Sequence, residues 1–373
     1  MTAIISARDL RKEFETHRPL WGAATVVRAV DGVSLDIAAG ETFAIVGESG
    51  CGKSTLARLL LRLIDPTAGE VWFKGEDLAA LPDERLRSLR RDLQFIFQDP
   101  FSSLNPQMTV GALIEEPMRA HAIGTATERR ERVGALLSRV GLTPAHADRY
   151  PHEFSGGQRQ RIGIARALAS GPSVLIGDEP VSALDVSIQA QVVNLLEDLK
   201  EDFGLTLIII AHDLAVIRHM ADRVAVMYLG EVVELAWATD LFARPRHPYT
   251  AALMAAIPVA SFGARRASTP LEGDPPNPIS PPDGCRFHPR CNHASDLCRR
   301  TRPTLQPRED GSAVACHHAD TMALPGLSDV TARRSPAAQA RFARYAAALA
   351  GPTTTENSPK TGGTTPSTDG GTI

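Results

Sequence analysis

Apolar runs and helical repeats alternate along the first 245 residues of the chain. Continuous apolar runs rich in β-branched residues at 42–46, 174–176 and 207–210 predict strands buried on both faces of a parallel sheet. Shorter runs at 71–73 and 94–97 predict further strands. The part of the chain before residue 98 is therefore expected to be rich in strands.

Longer segments repeat apolar residues every three or four positions, which predicts amphipathic helices over 127–140, 158–169 and 187–200. The third of these lies between two buried strands, as a right-handed crossover between parallel strands requires. A further helix is predicted over 55–64. This alternation predicts an α/β fold with a parallel sheet and a helical region at about 99–170.

The composition changes after residue 245. Residues 245–310 are rich in Pro and Arg and contain three of the five cysteines, with a fourth at Cys316, and the end of the chain is a low-complexity stretch of Thr, Gly, Ser and Pro. We therefore expect a large domain over 1–245, a smaller C-terminal domain over 246–322, a helix or linker over 323–350, and a disordered tail over 351–373.

Length, charge and hydropathy restrict the class of protein. A chain of 373 residues has room for one large and one smaller domain, and its net charge of −3 argues against nucleic acid as a partner. The chain has no apolar run of about 18 residues and no signal-peptide core at its N-terminus. We expect a cytosolic protein that reaches a membrane only through a partner and whose cysteines form no disulfide scaffold.

A glycine-rich stretch follows the first buried strand and precedes a predicted helix. It consists of Gly47, Glu48, Ser49, Gly50, Cys51, Gly52, Lys53, Ser54 and Thr55. This spacing is typical of a phosphate-binding loop, in which backbone N–H groups and the helix N-terminus surround a phosphate. Lys53 would reach the β- and γ-phosphates and Ser54 would bind Mg²⁺, whereas Cys51 would only fill space. The alternative is a glycine-rich turn that binds nothing.

Polar side chains also follow the other predicted strands. Asp178 and Glu179 end one strand, where Asp178 could hold Mg²⁺ and Glu179 could act as a general base for an attacking water. Gln98 ends another strand and could bind the metal and orient the water. His212 ends a third and could donate to the γ-phosphate. Each of these residues alone could equally be a solvated strand end.

A second anion-binding helix start is predicted at Ser155, Gly156, Gly157 and Gln158. One chain needs only one phosphate loop. A second phosphate cradle therefore implies use in trans, with two chains arranged head to tail and each capping the nucleotide that the other binds.

In order and spacing, these motifs, together with the stretch Ser182-Ala183-Leu184-Asp185, resemble the nucleotide-binding subunit of ATP-binding cassette (ABC) transporters over residues 1–245. The resemblance implies a P-loop NTPase cassette with a RecA-like parallel-sheet core, an antiparallel β subdomain and a helical subdomain. It implies the following roles: phosphate and Mg²⁺ binding at Lys53, Ser54 and Thr55, a lid glutamine at Gln98, a metal partner at Asp178, a catalytic base at Glu179, a trans clamp at Ser155 and Gly157, a dimer-seam residue at Asp185 and a switch histidine at His212.

The aromatic residue that stacks on adenine is harder to identify. ABC cassettes usually place it on an early strand, so either Phe14 or Trp21 could serve. We favour Phe14, and the alternative is that Phe14 is a buried core side chain.

The chain further resembles a narrower group, the ATPase subunits of bacterial dipeptide and oligopeptide importers, and within it the F-type subunit. The resemblance to the importer group is carried by the stretches at 98–106, 150–158 and 180–187 and by His247-Pro248-Tyr249-Thr250, and the resemblance to the F-type subunit by residues 28–35 and the loop at 47–53. It implies a heterodimer with a D-type ATPase, two membrane permeases and an extracytoplasmic solute-binding protein. Alternatives are import of another solute, such as glutathione or nickel chelates, or a non-transport ATPase such as a phosphonate-degradation subunit.

Four cysteines in the C-terminal region, Cys285, Cys291, Cys298 and Cys316, indicate a metal site rather than disulfides in a cytosolic protein. Similar cysteines in the importer group imply a [4Fe–4S] cluster. Zinc is the alternative, with His288, His293 and His317 as additional ligands, and free buried thiols are the third possibility.

Overall fold

The parts of the chain described by the computed structural model are residues 3–15, 25–99, 103–182, 184–212, 214–257 and 273–327. Trp21 and the tail at 351–373 lie outside these residues. The helices are α1 (Lys53–Leu60), α2 (Asp83–Leu89), α3 (Val110–Ala120), α4 (Ala126–Arg139), α5 (Gly156–Leu168), α6 (Val186–Phe203), α7 (Leu214–Met220), α8 (Ala238–Ala243), α9 (Pro248–Ala255) and α10 (Asp296–Arg300). Short 3₁₀ turns lie at Pro144–Asp148, Pro151–Glu153 and His288–Arg290.

The strands form two sheets. They are β1 (Ala3–Glu15), β2 (Val26–Ala38), β3 (Thr42–Val46), β4 (Ala68–Phe73), β5 (Glu76–Asp77), β6 (Leu93–Ile96), β7 (Val174–Asp178), β8 (Thr206–Ala211), β9 (Arg223–Tyr228), β10 (Glu231–Trp237), β11 (Gln306–Pro307) and β12 (Ala313–Val314). One sheet has the order β2-β1-β4-β5 and the other β11-β12-β10-β9-β3-β8-β7-β6.

The larger sheet is parallel at its centre, because β9, β3, β8, β7 and β6 run in the same direction. All residues of β3, β7 and β8 are buried, as their continuous apolar sequences predict. The register pairs Val46 with Ala211 and Asp178 with Ile210. The carboxyl ends of these strands therefore meet at one edge of the sheet.

The predicted helices are confirmed, with one difference in length. The helices expected over 127–140, 158–169 and 187–200 are α4, α5 and α6, each shifted by at most a few residues. The helix expected over 55–64 ends instead at Leu60, since the chain turns at Leu61 and Arg62 adopts a φ of 46°. Its apolar face, Leu56, Leu59 and Leu60, is completely buried.

The two faces of the larger sheet carry separate cores. One core joins α1 to the smaller, antiparallel sheet through Ile5, Leu10 and Ile37. The other joins the sheet to the helical region, where Ile114 of α3 and Ile162 of α5 are fully buried. The phosphate loop is thus fixed to an element packed on one side of the sheet, and the 155–158 turn to a helix on the other.

The segment after residue 272 joins the larger sheet. Strand β12 pairs with β10, with Glu234 opposite Val314, and β11 pairs with β12. The buried guanidinium of Arg286 forms ion pairs with Asp31 of β2 and Glu231 of β10. We refer to residues 273–327 as the C-terminal lobe. A domain boundary near residue 245 stays a prediction.

No helix among the described residues is long and apolar enough to cross a membrane.

Helix α9 begins at a buried histidine. The His247 backbone N–H donates to Glu234 Oε2 at 2.9 Å, and its Nδ1 accepts from the Tyr249 N–H at 3.1 Å, which caps the helix. Burial lowers the pKa of His247 to about 3. The imidazole is therefore a neutral hydrogen-bond acceptor in the folded protein.

This predicts a loss of stability in mild acid. Below its ordinary pKa of 6.5, His247 takes up a proton only in the unfolded chain, so the free energy of unfolding falls as the pH falls from 6.5 towards 3. The expected loss is about 1.4 kcal/mol per pH unit. Urea unfolding at several pH values between 7 and 5 measures it.

His247→Asn, which keeps an acceptor at the helix start, should flatten this dependence, whereas substitution of the exposed His219 by Asn should not. Comparing variants also cancels the opposite contribution of Glu234, whose pKa is raised by burial. Equal pH slopes for the parent protein and His247→Asn would contradict the assignment.

Candidate active site

The phosphate loop, residues 47–55, connects the end of β3 to α1 in a path that only glycine can follow at two positions. Gly52 has a φ of 105°, and a Cβ there would lie 2.0 Å from the Ala29 carbonyl oxygen. A Cβ at Gly47 would lie 2.2 Å from the Met227 carbonyl oxygen. Gly52 is also the N-cap of α1, so the first N–H groups of this helix face the loop interior without a capping side chain of their own.

Lys53 lies in the loop, and its side chain is buried, with 5% of the residue exposed. Its Nζ donates to the carbonyl oxygens of Gly47 and Glu48 at 2.8 and 2.9 Å. The ammonium group is therefore held at the centre of the loop. A buried cation placed among backbone N–H groups at a helix start makes an anion site.

Ser54 and Asp178 meet across the edge of the sheet. The Ser54 hydroxyl donates to Asp178 Oδ1 at 2.8 Å, which links α1 to the end of β7. Asp178 is only 2% exposed, and burial raises its pKa. A bound divalent cation would offset this cost, and a hydroxyl beside a carboxylate is an oxygen donor set suited to Mg²⁺.

Two of the predicted residues, Gln98 and His212, converge on the carboxylate of a third, Glu179. Gln98 Nε2 donates to Glu179 Oε2 at 2.8 Å, and His212 Nδ1 lies 3.5 Å from the same oxygen. The N–H of Glu179 donates to the Ile210 carbonyl oxygen at 3.0 Å, and its φ is 47°. Neighbouring strands thus deliver an amide, a carboxylate and an imidazole to a single point, and a carboxylate so placed can accept a proton from water.

The 155–158 turn begins α5 and forms a capping box. Ser155 Oγ accepts from the Gln158 N–H, and Gln158 Oε1 accepts from the Ser155 N–H at 3.0 Å. Ser155 is exposed, whereas Gly157 is buried, and a Cβ there would lie 2.7 Å from Cγ2 of Ile188 in α6. Asp185 is the exposed N-cap of α6. Two helix starts therefore lie side by side with solvent-exposed polar ends.

Phe14 lies near the end of β1 and is 43% exposed. The alternative that it is a buried core side chain is wrong. The Lys12 ammonium lies over its ring, 5.2 Å from the centroid. An exposed ring beside a cation is available to stack on a base.

The sequence patterns missed two contacts to the phosphate loop. The Glu48 N–H donates to the Tyr249 hydroxyl at 2.8 Å, and both Glu48 carboxylate oxygens accept from the guanidinium of Arg290. Tyr249 belongs to the 247–250 motif, which gave a family resemblance but no role. Arg290 lies 242 positions from Glu48 in the sequence, and no sequence pattern linked the two residues.

The four C-terminal cysteines line one small pocket in the lobe, together with His288, His293 and His317. All five cysteines of the chain are free thiols. Burial raises the pKa of Cys285 to about 12 and also raises the pKa of Cys291 and Cys316, to which neighbouring thiolates add. As they stand, the described residues bring no three His, Cys, Asp or Glu side chains close enough to hold a metal ion.

Comparison with known proteins gives two family matches. Residues 30–182 match the family described as ABC transporter, and residues 233–298 match the family described as oligopeptide/dipeptide transporter, C-terminal region. The first match spans the phosphate loop, Gln98, the 155–158 turn and Glu179. The second spans the 247–250 motif and three of the four clustered cysteines.

Whole-chain relatives agree. The chain is 56% identical over 304 residues to the probable peptide ABC transporter ATP-binding protein y4tS of Sinorhizobium fredii, which covers 82% of this chain and 84% of the relative. It is 51% identical over 318 residues to the oligopeptide transport ATP-binding protein AppF of Bacillus subtilis. This alignment covers 84% of this chain and 97% of the relative. Among solved structures, the dimeric ATP-binding cassette MJ0796 bound to ADP and Pi aligns with a TM-score of 0.57 and 32% identity, covering 63% of this chain and 98% of that one.

Proposed function

The chain belongs to the ABC transporter family of ATP-binding subunits, and from this membership we propose that it powers the import of dipeptides or oligopeptides through partner permeases. It is an ABC-type ATPase. The single observation that carries the peptide assignment is the oligopeptide/dipeptide transporter C-terminal region at 233–298, on the same chain as the cassette. That region argues against the phosphonate-degradation subunit and other cassettes without a transport role.

ATP would bind with its β- and γ-phosphates in the phosphate loop. Lys53 would exchange its two backbone carbonyl partners for phosphate oxygens, and the N–H groups at the start of α1 would donate to the same phosphates. Ser54, Gln98 and Asp178 would hold Mg²⁺, which neutralises the negative charge on the phosphates when it is bound. Phe14 would stack on the adenine ring.

Glu179 would act as general base for the attacking water. Its carboxylate accepts a hydrogen bond from Gln98, and His212, which lies 3.5 Å from the same oxygen, would donate to the γ-phosphate. The three residues come from the ends of adjacent parallel strands, so their relative positions are fixed by the sheet.

The 155–158 turn would bind the γ-phosphate held by a second ATPase subunit. Ser155 is exposed at the start of α5, as a clamp in trans requires. Asp185, at the adjacent helix start, would lie at the seam between the subunits. ATP binding would close the dimer and hydrolysis would open it.

We propose that the second subunit is a D-type ATPase and that two permeases and an extracytoplasmic solute-binding protein complete the importer. The subunit would lie peripherally at the cytoplasmic face of the membrane. Two relatives carry names of peptide or oligopeptide transport ATP-binding proteins, which supports permease and binding-protein partners. Nucleic acid has no part in this assignment.

For the four cysteines we propose a [4Fe–4S] cluster with a structural or regulatory role. The four free cysteines line one pocket, which supports it. The thiols would have to move closer together, since they form no metal-binding group as they stand in the described residues. Zinc with the neighbouring histidines is the alternative, and the ATP chemistry depends on neither.

Reconstitution of the importer in vesicles tests both peptide import and the role of Glu179 as general base. In vesicles that contain the permeases and both ATPase subunits, a binding protein loaded with peptide should stimulate ATP hydrolysis and peptide uptake. Glu179→Gln should retain ATP binding and lower turnover by about a hundredfold or more, because the proton acceptor is lost. The exposed Glu201→Gln is the control. Near-normal hydrolysis by Glu179→Gln would refute the base, and uptake of glutathione or nickel chelates but no peptide would refute the solute class.

The trans clamp can be tested without unfolding the turn. Ser155→Asp keeps a good helix N-cap but places a carboxylate where the γ-phosphate of the other subunit would lie. We expect the isolated chain to bind ATP normally. Its ATP-dependent association with the second ATPase subunit should be lost, as measured by size-exclusion chromatography with light scattering. Thr125→Asp changes the capping box of α4 in the same way and should have no effect. Association unaffected by Ser155→Asp would contradict the clamp.

Metal content distinguishes the three possibilities for the cysteines. After purification without oxygen, the protein should contain iron and acid-labile sulfide in equal amounts, with the absorbance of an iron–sulfur cluster. Cys298→Ser should abolish both, and Cys51→Ser, outside the pocket, should abolish neither. Zinc without sulfide would favour the alternative, and absence of both metals would leave free thiols.

A further inference from the structure

We propose that Arg290 and Tyr249 are positioning residues for ATP binding, because they fix Glu48 and with it the shape of the phosphate loop. This inference rests on the proposed use of residues 47–55 as the ATP site. It assigns a role in the ATPase to the C-terminal lobe and to the 247–250 motif.

Glu48 is held through both its side chain and its main chain. Arg290 donates to its two carboxylate oxygens at 2.7 and 3.0 Å, in the fork geometry that makes such pairs strong. The Glu48 N–H donates to the Tyr249 hydroxyl at 2.8 Å. The second residue of the loop is therefore fixed in position and in orientation by two groups from outside the cassette core.

The two groups that hold Glu48 are themselves rigid. The side chain of Arg290 is 5% exposed, and its guanidinium lies 6.0 Å from the ring centroid of Tyr228. Tyr249 is fully buried, with ring centroids 4.7 Å from Tyr228 and 5.4 Å from Phe287. The hydrogen bonds to Glu48 raise the pKa of Arg290, so its guanidinium stays charged. A packed aromatic cluster thus supports the contact.

The position of Glu48 matters because Lys53 depends on it. The Lys53 ammonium donates to the carbonyl oxygens of Gly47 and Glu48, so a rotation of the Glu48 peptide would displace the cation that binds phosphate. A Cβ at Gly47 would lie 2.2 Å from the Met227 carbonyl oxygen, so only glycine fits immediately before Glu48. Arg290 and Tyr249 therefore hold Glu48 next to a closely packed position of the loop.

A purely structural role, in which Arg290 only attaches the lobe to the cassette core, makes a different prediction. Attachment is already provided by Arg286 and Arg302, which pair with Asp31 and Glu231 and not with Glu48. Arg302→Met loosens that attachment without touching Glu48, so it is the matched control for Arg290→Met.

The experiment titrates the full-length chain with a fluorescent ATP analogue and Mg²⁺ and records the thermal midpoint of each variant without nucleotide. Arg290→Met and Glu48→Gln should each raise the Kd of the analogue by about tenfold. A change of this size corresponds to the free energy of one strong charged hydrogen-bond pair. The double variant should be no weaker than either single one, because both remove the same interaction. Arg290→Lys, which keeps the charge but not the fork, should recover part of the affinity.

Tyr249→Phe removes only the hydroxyl and should also raise the Kd of the analogue severalfold. Arg302→Met should lower the thermal midpoint but leave the Kd unchanged. Kd values within twofold of the parent for both Arg290→Met and Glu48→Gln, or affinity losses that follow thermal stability across all variants including Arg302→Met, would overturn the proposal.

Lys53→Ala separates this proposal from the assignment of the ATP site itself. If the parent protein binds the analogue no better than Lys53→Ala, the site assignment fails, whatever Arg290 does. If the parent binds and Lys53→Ala does not, the Arg290 and Glu48 variants decide the positioning role alone.

Discussion

The parallel register of β3, β8, β7 and β6 is the constraint on which the site depends. Each strand ends at the same edge of the sheet, so the phosphate loop, His212, the Asp178-Glu179 pair and Gln98 follow one another across it. A slip of one residue in any strand would turn its terminal side chain to the other face. The distances around Glu179 are therefore a consequence of backbone hydrogen bonds in a fully buried sheet.

Two buried charges at this edge are satisfied in a way that suits phosphate binding. Lys53 is paired with backbone carbonyl groups and Asp178 with the Ser54 hydroxyl, so neither charge is left without a partner inside the protein. Carbonyl and hydroxyl partners are neutral and can be replaced by a phosphate oxygen or a cation with little rearrangement. The site is thus assembled by the fold before its substrate arrives, which lowers the cost of binding.

The buried strands and the helix starts were predictable from short stretches of sequence. The buried strands were predictable because β-branched runs such as 207–210 fit a sheet covered on both faces, and the Ser-Gly-Gly sequence at 155–157 marked the start of α5. The early end of α1 at Leu60 was not predictable, since the turn at Arg62 is held by hydrogen bonds from its guanidinium to the carbonyls of Leu78 and Leu81. Phe14 also lies on the surface, although an aromatic side chain suits a hydrophobic core.

The C-terminal lobe has to be considered part of the ATPase. Its β12 continues the sheet beyond β10, and Arg286 places a buried positive charge between Asp31 and Glu231 of two cassette strands. Removal of the lobe would take Arg286 and Arg302 away from both carboxylates, leaving Asp31 with Arg11 and Glu231 without these two ion pairs. Ion pairs and strand hydrogen bonds thus link the segments before and after residue 245. Composition could not show these contacts, because it records what a segment is made of and not what it touches.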